Sequence, residues 1–129
     1  MNRLLIDTHA YLWFVFDDER LGPGASAAIG DAAIVKALSV ASLWEIAIKV
    51  SLGKLELGTS LDRFLADEVE GREIDLLAIK ITHLTRVVGL PFHHRDPFDR
   101  LLIAQALVEG LPIATADPRF ADYGVRTIW

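Results

Sequence analysis

Short apolar runs alternate with longer segments whose apolar positions recur at helical spacing, a pattern that predicts strands and helices in turn along most of the chain. Arg3–Ile6 reads as a buried strand ending at Asp7. Residues 11–16 are an apolar run with helical character, cut off by the Gly22, Pro23, Gly24 cluster. Residues 26–33 read as a short alanine-rich helix and residues 33–40, rich in Ile, Val and Leu, as a second strand. A helix over residues 42–52 stops at Gly53, and residues 60–69 form an amphipathic helix with Leu61, Phe64, Leu65 and Val69 on one face. Residues 73–76 are a third, short strand, and residues 78–87 a helix closed by Gly89 and Pro91. Pro97 opens a helix that runs to Glu109 before Gly110. Residues 112–115 are a fourth strand and residues 126–128 a weak fifth.

Strands alternating with helices imply an α/β fold over residues 1–129: a three-layer α/β/α domain around a central, mostly parallel sheet of about four to five strands. Of 129 residues 52% are hydrophobic, enough for one good core in one domain. The chain has no cysteine, which excludes a disulfide scaffold, an iron–sulfur cluster and a thiolate zinc site and fits a cytoplasmic location. The early apolar run at residues 11–16 is far too short to span a bilayer and follows an acidic residue instead of a basic leader, so no membrane association is expected. A formal net charge of −5 excludes a protein that coats nucleic acid through an excess of Lys and Arg. Local charge differs from the total: residues 93–100 read HHRDPFDR, two histidines and two arginines around two aspartates.

Four acids far apart in the chain fall where such a fold brings them to one edge of the sheet. Asp7 follows the first strand and Asp117 lies just past the fourth, while Glu45 and Asp99 sit in the first turns of helices. Ligands of open α/β sheets bind beyond the carboxyl ends of the strands. Four carboxylates in one place repel one another unless a cation neutralises them, which points to hydrolytic metal chemistry. Each acid also has an ordinary structural reading. Ser42 and Glu45 have capping-box spacing, and Glu45 with Lys49 makes an i,i+4 pair. Asp96 before Pro97 is a good N-cap, which leaves Asp99 at the third helical position, and Asp117 before Pro118 is a common turn residue. Asp7 resists that treatment, because it closes an apolar strand and leads into another apolar stretch, where a buried charge needs a partner.

The segments LLIDTHAYLW, SLWEIAIK, HHRDPFDRLLIAQAL and IATADPRF, in that order, resemble the PIN-domain ribonucleases, and closely the VapC-type toxins of toxin–antitoxin pairs. The likeness runs from Leu4 to Trp129. It implies a divalent-metal site (Mg²⁺ or Mn²⁺), RNA as substrate, a cognate antitoxin as partner, and a homodimer. Carried over position by position, it makes Asp7, Glu45, Asp99 and Asp117 the candidate catalytic and metal-binding acids. Asp7 and Asp99 are the first choices as direct ligands, with Glu45 a ligand or a base through water and Asp117 a support. Thr8, Asp96 and Thr115 stand close enough in sequence to orient these acids.

Arg95, Arg100, Arg119 and Lys49 are candidate RNA-phosphate contacts, although Arg100 can instead pair with Asp96 one turn earlier. His93 and His94 are expected in a loop near the pocket, since nothing else completes a zinc site. Trp13, Phe14, Phe16, Trp44 and Leu55 are candidates for a surface that meets a second copy or an antitoxin segment. Two other readings are open. A magnesium-dependent phosphatase using Asp7 as nucleophile usually wants a second acid two residues on, where His9 stands. A non-catalytic PIN-like binding module would use the acidic pocket only to hold a basic partner.

Overall fold

Leu4, Leu5 and Ile6 are fully buried because β1 (Arg3–Ile6) is the middle strand of the sheet in the computed structural model, which describes residues Met1–Trp129. A parallel strand covered on both faces needs apolar residues at successive positions, so it shows no alternation. β1 pairs in parallel with β2 (Val35–Ser39) on one side and β4 (Ile113–Ala114) on the other. β3 (Asp75–Leu77) adds beyond β2, and β5 (Thr127–Ile128) beyond β4. The order β3-β2-β1-β4-β5 reverses direction between β1 and β4, which opens a crevice at their carboxyl ends.

Helices cover both faces. On one, Leu4 and Ile6 pack with Tyr11 of α1 (Thr8–Val15), Ala25 and Ile29 of α2 (Pro23–Gly30), Ile46 of α3 (Val40–Ser51) and Phe64 of α4 (Leu61–Leu65). On the other, Leu5, Ala37 and Ile113 meet Leu102, Ile103 and Ala106 of α6 (Pro97–Glu109), and α5 (Ile81–Val88) packs outside α6. Neighbouring β1 residues point to opposite faces, so each strand feeds two apolar layers. This is the three-layer α/β/α arrangement expected from the sequence, with five parallel strands.

Several boundaries differ for local reasons. The Gly22, Pro23, Gly24 cluster opens α2 instead of only ending what precedes it, because proline suits a first helical turn. Gly22 is also a packing requirement, since a Cβ there would come within 2.6 Å of the Trp129 indole. α3 begins at Val40 with Ser39 as its N-cap, accepting from Ala41 N at 3.1 Å. Ser42 therefore makes no capping box with Glu45, and its hydroxyl instead accepts from Thr8 Oγ1 at 2.9 Å. The expected helix over residues 60–69 is α-helical only to Leu65 and continues as a π-helical turn, Ala66–Glu70. α5 starts at Ile81, three residues after the expected point, where the His83 ring accepts from Lys80 N. A 3₁₀ helix at Pro118–Tyr123 was not foreseen. No helix is long and apolar enough to cross a membrane.

Candidate active site

A cavity of about 570 Å³ lies at the carboxyl ends of β1 and β4, lined by Asp7, Asp99, Asp117, Arg119, His9 and Trp13 among others. Each acid arrives by a simple local device. Asp7 is the first residue past β1 and caps α1, its Oδ1 accepting from Ala10 N at 2.7 Å. Asp99 stands in the first turn of α6 because Asp96 caps that helix, accepting from Phe98 N at 2.8 Å and Asp99 N at 3.2 Å. Asp117 caps the 3₁₀ helix after β4. Glu45 projects from α3 and pairs with Lys49 Nζ at 3.3 Å. Glu45 does not line the cavity, but its charge acts on both Asp7 and Asp99.

The acids are not electrically alike. Burial pushes the Asp7 carboxyl above its ordinary range, opposed by hydrogen bonds from Thr115 and Ala10 and by the His9 charge, and reinforced by Glu45. Burial also raises Asp99, and the charges of Asp96, Asp7, Glu45 and Asp117 add to it, taking it to about 7. For Asp117 burial works upward too, but hydrogen bonds from the Arg119 side chain, the Arg119 N–H and His94 win and hold it at about 2.

Hydrogen bonding explains the contrast. Asp117 Oδ1 accepts from Arg119 N and Nε, both at 3.0 Å, and Oδ2 from Arg119 Nη2 at 2.9 Å and His94 Nε2 at 2.8 Å. An ionised carboxylate has about four lone-pair sites, so Asp117 is saturated by the chain itself. Asp99 has no such support; its nearest donor, His94 Nε2, stands 3.1 Å from Oδ2 while hydrogen-bonding Asp117.

The smaller candidates fall into two groups. Thr115 accepts from Asp117 N at 3.1 Å, and its hydroxyl is also among the groups that oppose the rise of Asp7. Thr8 is tied to Ser42, which joins α1 to α3 beside Asp7 and Glu45. Arg119 reaches the cavity with an exposed guanidinium, Lys49 is held by Glu45, and Arg95 is exposed. Arg100 is turned the other way. It is buried, its guanidinium donates to the carbonyls of Pro91, Leu90, Val87 and His94, and it lies 4.1 Å over the Phe92 ring. It clamps the loop between α5 and α6 and does not pair with Asp96. Four of its five guanidinium N–H groups are taken by carbonyls, and Arg100 does not line the cavity.

His94 is the site residue that sequence reasoning underrated. Only 3% exposed, it brings a ring nitrogen together with Asp99 and Asp117, the ligand-type atoms of all three within 4.8 Å of one another. His93 beside it is on the surface against Tyr123. The signal available in the sequence was position: His94 stands two residues before the helix-capping Asp96, where a ring can turn back onto the cap.

A PIN domain family model matches residues 4–125. The chain belongs to the PIN domain family. No curated protein sequence matches it. Among solved structures, this PIN domain is similar to FitAB bound to an IR36 DNA fragment, with a TM-score of 0.66 at 18% identity over 96% of this chain and 92% of the other. It is also similar to VapBC2 from Rickettsia felis bound to a DNA fragment from its promoter, with a TM-score of 0.65 at 14% identity over 97% and 96%. For FitAcB from Neisseria gonorrhoeae the TM-score is 0.59 at 18% identity over 96% and 95%. At these identities the likeness carries the fold, and the PIN domain's chemistry rests on its own side chains.

Proposed function

We propose that this PIN domain is a VapC-type toxin: a divalent-metal-dependent endoribonuclease that hydrolyses RNA phosphodiester bonds in the cytoplasm and is restrained by a cognate antitoxin. The observation that carries the reading is the imbalance among the acids. Asp117 has its counter-charge in Arg119 and its donors in place, whereas Asp7 and Asp99 are raised first by burial and then by neighbouring carboxylates, with no arginine or lysine salt bridge to either. A site built that way favours a cation strongly. Its donors are carboxylate oxygens, which suit Mg²⁺ or Mn²⁺; Asp7 and Asp99 would hold the ion directly, with Glu45 beside them as a further ligand or as a base through water. Held by these carboxylates, a divalent ion would supply Lewis acidity toward a phosphodiester and would lower the pKa of a water.

The chain's own residues supply the rest. Glu45, held by Lys49, stands near both raised acids and would receive a proton through water. Asp117 does not need to ligate; it presents Arg119 at the rim, where that guanidinium and exposed Arg95 would meet RNA phosphates. Thr8, Thr115 and Asp96 fix the backbone and carboxyl groups around them.

The partners follow from surface and fold. VapBC and FitAB are two-component complexes of the same fold, which supports an antitoxin for this chain; a basic side chain entering the cavity would neutralise Asp7 and Asp99 as an ion does. A homodimer is supported by exposed apolar residues on α5, Ile81 at 81% and Val88 at 86% exposure, together with Trp44. Phe16 is exposed as well, while Trp13, Phe14 and Leu55 are partly buried.

Calorimetry with Mn²⁺ is the deciding experiment. Binding that disappears in Asp99→Asn supports the metal site, and growth arrest on expression that Asp99→Asn abolishes supports the toxin. A folded, partner-free protein that binds no Mn²⁺ at millimolar concentration refutes the metal-dependent reading and favours a binding module that only holds a basic partner.

A further inference from the structure

His94 is buried to 97% by its 3% exposure, and both of its ring nitrogens are engaged by defined partners. Nδ1 accepts from the backbone N–H of Asp96 at 3.1 Å. A ring nitrogen that accepts carries no proton, so the proton of the neutral ring is on Nε2. That N–H goes to Asp117 Oδ2 at 2.8 Å, with Asp99 Oδ2 at 3.1 Å from the same nitrogen. The ring is fixed from behind as well: its own backbone N–H donates to the Tyr123 hydroxyl at 2.8 Å, and the hydroxyl donates to Pro91 O at 2.8 Å. Phe120 packs edge-on against it.

We propose that His94 is a positioning residue of the acid site, tied through Nδ1 to the cap of α6 and through Nε2–H to Asp117, so that one ring sets the spacing of Asp99, Asp117 and Arg119. The inference rests on the metal-site reading above and gives it a fifth member outside the four acids. The tie matters because Asp99 enters from α6 and Asp117 from the turn after β4, elements that share no backbone hydrogen bond at this point. Without a donor between them the two carboxylates would repel and separate. His94 does this as a hydrogen-bond donor and not as a metal ligand: for Nε2 to ligate, the proton would have to move to Nδ1, where the Asp96 N–H already points. The proximity of these three side chains is therefore a product of hydrogen bonding, and Asp7, Asp99 and Glu45 are left to receive the ion.

Two substitutions separate the functions of the two nitrogens. The asparagine amide reaches about as far as Nδ1, so His94→Asn keeps the acceptor for the Asp96 N–H and loses the donor to Asp117. The longer glutamine amide reaches about as far as Nε2, so His94→Gln keeps the donor and loses the acceptor. The experiment is Mn²⁺ calorimetry on the whole chain, with thermal unfolding in chelator and ring ¹⁵N NMR before and after Mg²⁺. We expect His94→Asn to lose Mn²⁺ affinity by about tenfold to a hundredfold, the range for residues that orient metal ligands, and His94→Gln to stay within about threefold. In the wild-type protein Nε2 is expected to keep its proton with and without Mg²⁺. Equal Mn²⁺ affinity in His94→Asn and wild type, or a free-protein ring protonated on Nδ1, overturns the proposal while the metal site stands. Loss of the Nε2 proton on adding Mg²⁺ overturns it in favour of direct ligation. A wild-type protein that binds no Mn²⁺ refutes the metal site itself and this inference with it.

Discussion

Asp99→Asn should stabilise the metal-free protein at high pH while destroying its ability to gain stability from metal. The Asp99 carboxyl is raised from 3.8 to about 7, first by burial and then by the charges of Asp96, Asp7, Glu45 and Asp117. A raised carboxyl binds its proton more tightly in the folded than in the unfolded chain. It therefore costs nothing below about pH 4, where both states are protonated. The cost grows from about pH 4 as the unfolded chain ionises and is complete above about pH 7. A shift of about three units corresponds to roughly 4 kcal/mol at ~1.4 kcal/mol per unit. The side chain keeps 27% of its surface exposed, and water and salt there reduce the figure to about 2 kcal/mol. Urea unfolding in chelator at pH 4, 6 and 8 measures it. The expected advantage of Asp99→Asn is near zero at pH 4 and about 2 kcal/mol at pH 8. Adding Mn²⁺ at pH 8 should then stabilise wild type by mass action and leave Asp99→Asn unmoved. An advantage that does not change with pH, or an Asp99→Asn protein less stable than wild type at pH 8, would refute the claim that uncompensated carboxylates strain this site.

The remaining predictions concern neighbouring parts of the molecule. Arg100→Met removes the guanidinium donor from four backbone carbonyls, of which Pro91 O and Val87 O keep another, and should lose about 3 kcal/mol in urea unfolding, since hydrogen bonds to charged groups are worth about 1.5–3 kcal/mol each and part of the loss is recovered by water and the remaining donors. Arg119→Ala should do the reverse, leaving the unfolding curve nearly unchanged while weakening binding of a single-stranded RNA oligonucleotide and flattening its salt dependence. Gly24→Ala places a methyl group against the Trp129 carbonyl, so it should displace the end of the chain and cost about 1–3 kcal/mol, with a change in tryptophan emission as the local readout. Val88→Glu on the exposed face of α5 should convert a dimer to a monomer in sedimentation velocity; an unchanged species would remove α5 as the dimer face.

Local chemistry determined much of what the sequence disclosed. A fully apolar run closed by one aspartate marked β1 and Asp7, because only a strand buried on both faces needs such a run. Asp96 and Pro97 marked the start of α6, and Gly110 its end, since cap, first-turn proline and left-handed glycine each answer a requirement within a few residues. The gathering of Asp7, Asp99 and Asp117 at one edge followed from parallel topology, and Glu45 came close enough to act electrically on Asp7 and Asp99. What the tertiary structure alone decided was how each polar group is satisfied. Ser42 had the spacing of a cap but bonds Thr8, 34 positions away, because the helix starts earlier at Ser39. Arg100 looked like a surface cation and is buried among carbonyls. Asp117 and Asp99 look alike in sequence, yet one is saturated with donors and the other is not. His94 reaches Asp117 across 23 positions, a contact that neither residue's own neighbourhood signals. Periodicity and capping act over one or two turns and are written in the chain; hydrogen-bond partners and charge environments are set by whichever backbone folding brings alongside.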